Sequence, residues 1–72
     1  MYGVILFPST HYAVRCEKLL EDAGLTCRLI PVPRQFSSDC GLSVRFMWAD
    51  RERVEQVLQA QGLAYDSIYP LP

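Results

Sequence analysis

The order of apolar and polar positions predicts six secondary-structure elements. A continuous apolar run over residues 2–7 predicts a central strand covered or half covered on both faces, and Pro8 ends it. Apolar residues then recur at helical spacing up to Gly24, after Ser9 and Thr10, which are both good helix caps. Because the charged residues of this segment fall on the other side of the helical wheel, the pattern predicts an amphipathic first helix.

Two further strands follow the first helix. Residues 26–32 alternate as a strand, and Pro31 and Pro33 predict that it lies at a sheet edge, because proline donates no ladder hydrogen bond. After a polar loop over residues 34–41, residues 42–48 alternate as a third strand. Its even-numbered residues predict the core face, and its odd-numbered residues predict the opposite face.

The remaining residues predict a second helix, from a cap at Asp50 to a stop at Gly62, and a last strand over residues 64–69. The order strand, helix, strand, strand, helix, strand in one domain of residues 1–72 is typical of the ferredoxin-like α+β fold. We expect a four-stranded antiparallel sheet in the spatial order 4-1-3-2, with both helices on one face. The other face is expected to be open, either to solvent or to a partner or second copy of the chain.

Composition and charge exclude several classes of protein. Half of the residues are apolar and 21% are charged, as in ordinary soluble globular domains. Seven basic and eight acidic residues leave a net charge of -1, which argues against nucleic acid binding. The first apolar run is too short for a signal peptide or a membrane span. Three cysteines without zinc-site spacing predict free thiols in a reducing, cytoplasmic compartment, with no metal and no cofactor.

Cys40 is the candidate for chemistry, because it lies in a polar loop where packing does not explain a thiol. The other two cysteines, Cys16 and Cys27, lie among apolar residues and fit as small buried hydrophobes. An accessible thiol of lowered pKa attacks disulfides and persulfides and can hold a second sulfur or a selenium atom. The alternative is that Cys40 only begins the third strand, with its side chain tucked under the loop.

The predicted topology brings the Cys40 loop to the start of the first helix. Strands one and two run in the same direction, so the turns that follow them share one end of the sheet. The partial positive charge of the helix start, at Ser9 and Thr10, would favour a thiolate. His11 could act as a base or hydrogen-bond partner of the thiol, or it could be an exposed residue of the first turn.

Further loop residues complete the candidate site. Arg34 could bind an anion or remain a solvated charge. Ser37 and Ser38 offer hydroxyl donors, and Gly41 permits a close backbone approach or an unusual backbone angle. Asp39 beside the thiol would oppose its ionisation.

Three segments of the chain match one known pattern. They are residues 7–13 (FPSTHYA), residues 30–34 (IPVPR) and residues 37–42 (SSDCGL). In these segments the chain resembles a family of small domains called Putative Se/S carrier protein-like, and the resemblance extends over essentially the whole chain. It implies that the Thr-His turn, the Pro-Val-Pro-Arg segment and the Ser-x-x-Cys-Gly loop form one site.

The resemblance implies a carrier function. Cys40 would take a persulfide or selenide from a cysteine desulfurase-type donor and pass it to an acceptor protein, as a shuttle and not as an enzyme with its own turnover. The alternative is a binding or regulatory module that acts through the open sheet face, including a homodimer, or through an anion-binding loop. A metal chaperone would need a second thiol in the loop. The chain also lacks the Cys-Pro-x-Pro helix start of TusA-like sulfur carriers, so transfer by their mechanism is not expected.

Overall fold

The computed structural model describes residues 1–36 and 41–72, and these form the predicted βαββαβ order. The strands are β1 (Tyr2–Leu6), β2 (Cys27–Pro31), β3 (Leu42–Met47) and β4 (Ser67–Leu71), and the helices are α1 (Thr10–Asp22) and α2 (Arg51–Ala60). A short 3₁₀ turn, Trp48–Asp50, joins β3 to α2. The prediction of a ferredoxin-like α+β fold is confirmed. No helix in these two ranges has the length and apolarity needed to cross a membrane.

The four strands form one antiparallel sheet in the order β2-β3-β1-β4, as predicted. Pro31 lies in β2, which is an edge strand, so the prediction made from the prolines is confirmed. The predicted bounds of the last strand were wrong, because β4 begins at Ser67 and continues through Pro70. An edge strand tolerates a proline, since one of its sides needs no donor for the ladder.

The hydrophobic core lies between the sheet and the two helices. Ile5, Val44 and Phe46 project from the sheet into a cluster that also contains the buried residues Ala13, Cys16, Leu20, Val54 and Leu58 of the helices. Gly3 faces the same side, opposite Phe46 in the register. A Cβ atom on Gly3 would lie 2.6 Å from Phe46 Cζ and 2.5 Å from Trp48 Cε3, so the two rings occupy the space that a side chain would need.

Glycines end both helices, as predicted. Gly24 (φ 79°) and Gly62 (φ 64°) adopt the left-handed conformation, and the amides that follow each helix return to carbonyls of its last turn. The helix starts differ from the prediction in one respect. Ser9 and Asp50 occupy the N-cap positions, but neither side chain makes a capping hydrogen bond.

The sheet face turned away from the helices is covered at its centre by the chain itself. Val4 and Ser43 are fully buried there, and Leu6 is 5% exposed. The ring of Phe36 stacks on Tyr69 with 4.7 Å between centroids and 11° between planes. Because Phe36 follows β2 at one edge and Tyr69 lies on β4 at the other, the segment after β2 crosses the sheet. The face that was expected to be open is therefore closed at its centre. Of the two possibilities that the apolar run of β1 left, covered or half covered, the strand is covered on both faces.

Candidate functional site

The predicted site lies at the end of the sheet where β1 and β2 finish and β3 begins. Leu6 is paired with Ser43, and Pro31 with Leu42, so the three strand ends are level with one another. A backbone hydrogen bond of 3.4 Å from Val32 N to the Gly41 carbonyl joins the two sides of the predicted loop. The start of α1 follows β1 at this same end, and the site is therefore bracketed by the segments that the topology predicts.

The candidate thiol and its neighbours, residues 37–40, lie outside the described residues. The assignments of Cys40, Ser37 and Ser38 therefore stay predictions. Gly41 is described, and its φ is not in the left-handed range, so the expected unusual backbone angle is not found. No atom of the described residues lies within 4 Å of the place where a Cβ would stand, and a close approach by cargo or a partner stays a prediction.

The first turn of α1 contains no negative charge that would offset the partial positive charge of the helix N-terminus. Ser9 has an extended backbone (φ -154°, ψ 162°), and its carbonyl accepts hydrogen bonds from the amides of Tyr12 (3.2 Å) and Ala13 (3.4 Å). No acidic residue lies in the first turn. The partial positive charge of the helix N-terminus is therefore not offset by an acidic residue of its own first turn.

Apolar side chains are exposed beside His11, one of the predicted site residues. Tyr12 is 39% exposed and Val14 is 48% exposed, and with Ser9, His11 and Arg15 they line a shallow depression of about 510 Å³. Neither residue is predicted as part of the site, because both fall among charged positions on the outer side of α1. Two large apolar residues on a predicted solvated face are the signal that could have found them. Thr10 and His11 are exposed, and Arg34 is exposed in the turn that follows β2.

The other two thiols are held in their neutral form. Cys16 is fully buried, and burial is the main cause that raises its pKa to about 12. Cys27 is half-buried, and burial followed by the negative charges of Glu21 and Glu17 raises its pKa to about 11. Its thiol donates a hydrogen bond of 3.5 Å to the backbone carbonyl of Glu17. Cys16 confirms the prediction of a buried apolar cysteine, and Cys27 is partly accessible but weakly ionised.

Among residues 1–36 and 41–72, no three His, Cys, Asp or Glu side chains come close enough together to hold a metal ion. A family model described as Putative Se/S carrier protein-like matches residues 2–70, which is nearly the whole chain and includes every strand but the last residue of β4. No curated protein and no solved structure shows a significant match.

Proposed function

Because the chain belongs to the Putative Se/S carrier protein-like family, we propose that it carries sulfur or selenium as an adduct on the thiol of Cys40. The observation that carries this assignment is that the other two cysteines are buried or half-buried and have raised pKa values. A carrier thiol must be ionised to accept its cargo and must be accessible to give it up. Cys16 and Cys27 both fall short of these requirements.

The fraction of each thiol that is ionised at pH 7 shows why neither Cys16 nor Cys27 suits a carrier. At pH 7 a thiol of pKa about 11, as for Cys27, is ionised in about one molecule in ten thousand. For Cys16, with a pKa of about 12, the fraction is about ten times smaller, and the sulfur is also sealed from solvent. Burial and a raised pKa argue against Cys16 and Cys27, so Cys40, which lies outside the described residues, stays the predicted carrier thiol.

The transfer step needs no added oxidant or reductant. The thiolate of Cys40 attacks the outer sulfur of a persulfide on the donor protein, so that a new S–S bond forms as the donor's S–S bond breaks. The donor leaves as a thiolate, and the carrier becomes a persulfide at Cys40. Delivery is the same exchange in reverse, with the acceptor's thiolate as the attacking group. With selenium, the bond that moves is S–Se.

The start of α1 supports the ionised state that this step requires. A helix of 13 residues with no acid in its first turn places partial positive charge at the end of the sheet where the loop begins. In the proposal, His11 accepts or donates a hydrogen bond at the sulfur, and Ser9, Thr10, Arg34, Ser37, Ser38 and Gly41 bind the cargo or its partners. Donor and acceptor proteins must reach the same sulfur in turn, and the chain itself performs no catalytic turnover.

The alternative proposal, a binding module that acts through the sheet face, has weaker support. Val4 and Leu6, which would have formed the apolar centre of such a surface, are buried, and the ring of Phe36 lies across the same face against Tyr69. The apolar area left for a partner or a second copy is correspondingly smaller.

The test is a loading experiment with mass spectrometry. The protein is incubated with a cysteine desulfurase and cysteine, and the cysteine peptides are analysed for the mass of one added sulfur atom. We expect the adduct on Cys40, its loss in Cys40→Ser, and its retention in Cys27→Ser, which keeps a hydroxyl donor for the Glu17 carbonyl. Cys16→Ala provides a second control.

Two results would contradict the carrier assignment. One is the absence of any adduct on Cys40 when the desulfurase is shown to release sulfur from cysteine. The other is an adduct that Cys40→Ser retains and Cys27→Ser loses, which would move the chemistry to the start of β2.

A further inference from the structure

Two arginines face each other across β2 and β3. Arg28 lies directly opposite Arg45 in the antiparallel register, on the sheet face turned away from the helices. Like charges in directly opposed positions repel each other and destabilise a sheet. The arrangement therefore calls for a negative charge between or beside the two guanidinium groups.

In the described part of the chain no carboxylate pairs with either arginine, and the negative charges of Glu21 and Glu17 act on the neighbouring Cys27. Within residues 1–36 and 41–72 neither arginine forms a salt bridge, and the ion pair present there joins Lys18 to Asp22 on α1. No strand position on this face is an Asp or Glu. Glu17, beside the edge of β2, is already engaged, because its carboxylate accepts a hydrogen bond of 3.0 Å from the Leu29 amide.

A cavity of about 270 Å³ adjoins the two arginines. Tyr2, Phe46 and Met47 contribute to its wall. The guanidinium carbon of Arg45 lies 4.2 Å from the centroid of the Tyr2 ring, and this cation–π contact restricts the arginine at the cavity wall. The volume is slightly below the range of about 300–1,000 Å³ that drug-sized ligands occupy, so the space suits a small molecule.

We propose that this space, the Arg28–Arg45 cavity, binds a small free oxyanion such as a phosphate, sulfate or carboxylate group. Guanidinium groups present paired N–H donors whose spacing matches the oxygens of these anions. A bound anion turns the repulsion between Arg28 and Arg45 into attraction through a shared partner. The small concave volume favours a free anion over a docked protein surface. The site does not depend on Cys40, because it is built at the end of the sheet where β2 begins and β3 ends.

Inorganic phosphate is the probe for this cavity. It replaces chloride stepwise at constant ionic strength while backbone amide shifts are followed by ¹H–¹⁵N NMR. We expect saturable shifts at Tyr2, Arg28 and Arg45. Removing one guanidinium in Arg28→Gln or Arg45→Gln should weaken binding about tenfold or more, as loss of a charge-assisted hydrogen bond does.

Arg51→Gln is the matched control. The guanidinium carbon of Arg51 lies 5.2 Å from the centroid of the Trp48 ring, so this variant also loses one charge and one aromatic contact, but outside the cavity. Its phosphate affinity should equal that of the wild type. A structural role of the arginines alone would not produce saturable binding.

Thermal unfolding gives a second readout. In chloride, Arg28→Gln should unfold a few degrees higher than the wild type, because the repulsion is relieved. Phosphate should then stabilise the wild type more than this variant, whose response measures the general stabilisation that phosphate gives any protein. In the NMR titration, the proposal is overturned by amide shifts that do not saturate, by shifts centred on the first turn of α1, or by an unchanged phosphate affinity in Arg28→Gln. In thermal unfolding, it is overturned if the Tm of Arg28→Gln in chloride is no higher than that of the wild type.

Discussion

Replacing Gly3 with alanine tests how tightly the rings of the core close over β1. The added Cβ would stand 2.5 Å from Trp48 Cε3 and 2.6 Å from Phe46 Cζ. Carbon atoms in contact normally lie about 3.5–4.0 Å apart, so both rings must move by about 1 Å. Phe46 is only 1% exposed and sits inside the core, which leaves it little room to do so.

The expected cost follows from two opposing effects. Overpacking of this kind destabilises a core by about 1–3 kcal/mol. The lower entropy of the unfolded chain returns about 0.4–1 kcal/mol when glycine becomes alanine. We therefore expect Gly3→Ala to lose about 1–2 kcal/mol, which corresponds to a fall in Tm of about 5–15 °C in a domain of this size.

Urea titration followed by far-ultraviolet circular dichroism measures the change, and the single tryptophan, Trp48, gives a fluorescence signal from the site of the clash. The control is Gly41→Ala, where no atom of the described residues lies within 4 Å of the new Cβ and φ is not left-handed. That variant should be neutral or slightly stabilised. A free energy of unfolding for Gly3→Ala within about 0.5 kcal/mol of the wild type would refute the reasoning, because it would mean that the rings yield without cost.

Three further predictions concern the sheet and its thiols. A double-mutant cycle of Phe36→Ala and Tyr69→Ala, measured by urea unfolding, should show a coupling of about 0.5–1.5 kcal/mol from their stacking, and additive effects would contradict the contact. Glu17→Ala should speed hydrogen exchange at the Leu29 amide and cost about 1 kcal/mol, whereas Glu17→Gln, which keeps an acceptor, should preserve most of the protection. Folding raises the pKa of Cys27 from 9.0 to about 11, so the folded state holds that proton more tightly and the free energy of unfolding should fall as pH rises from 9.0 towards about 11. Cys27→Ser should lose less stability over the same interval, and an identical pH dependence in the two proteins would argue against a raised pKa.

Local signals in the sequence determine much of this fold. The apolar run of β1 predicts a strand covered or half covered on both faces, because it lacks the alternating polar residues of a solvated face. Pro31 predicts a sheet edge, and Gly24 and Gly62 predict the helix ends, since each residue type has a backbone requirement that few positions satisfy. All of these predictions are confirmed.

The features that were missed depend on tertiary contacts. Pro70 is predicted to end the last strand, yet it lies inside β4. A proline is tolerated there because β4 is an edge strand, and the position of a strand in the sheet is not visible in the local sequence. Phe36 is one aromatic residue in a polar segment, with no periodicity to indicate that it reaches the opposite edge of the sheet. The flanks of the candidate site follow from strand directions alone, whereas Tyr12 and Val14 do not follow from the helical pattern.

The hydrogen bond between Val32 and Gly41 has a mechanical consequence for a carrier. Consecutive Cα atoms are about 3.8 Å apart, so Cys40 is tethered by a single peptide unit to a residue fixed at the base of β3. Carriers that hold their cargo on a long flexible arm can swing it between distant partners. In the proposed carrier, the cargo would therefore be bound one residue from the base of β3, and each partner would have to bring its own reactive sulfur to that end of the sheet.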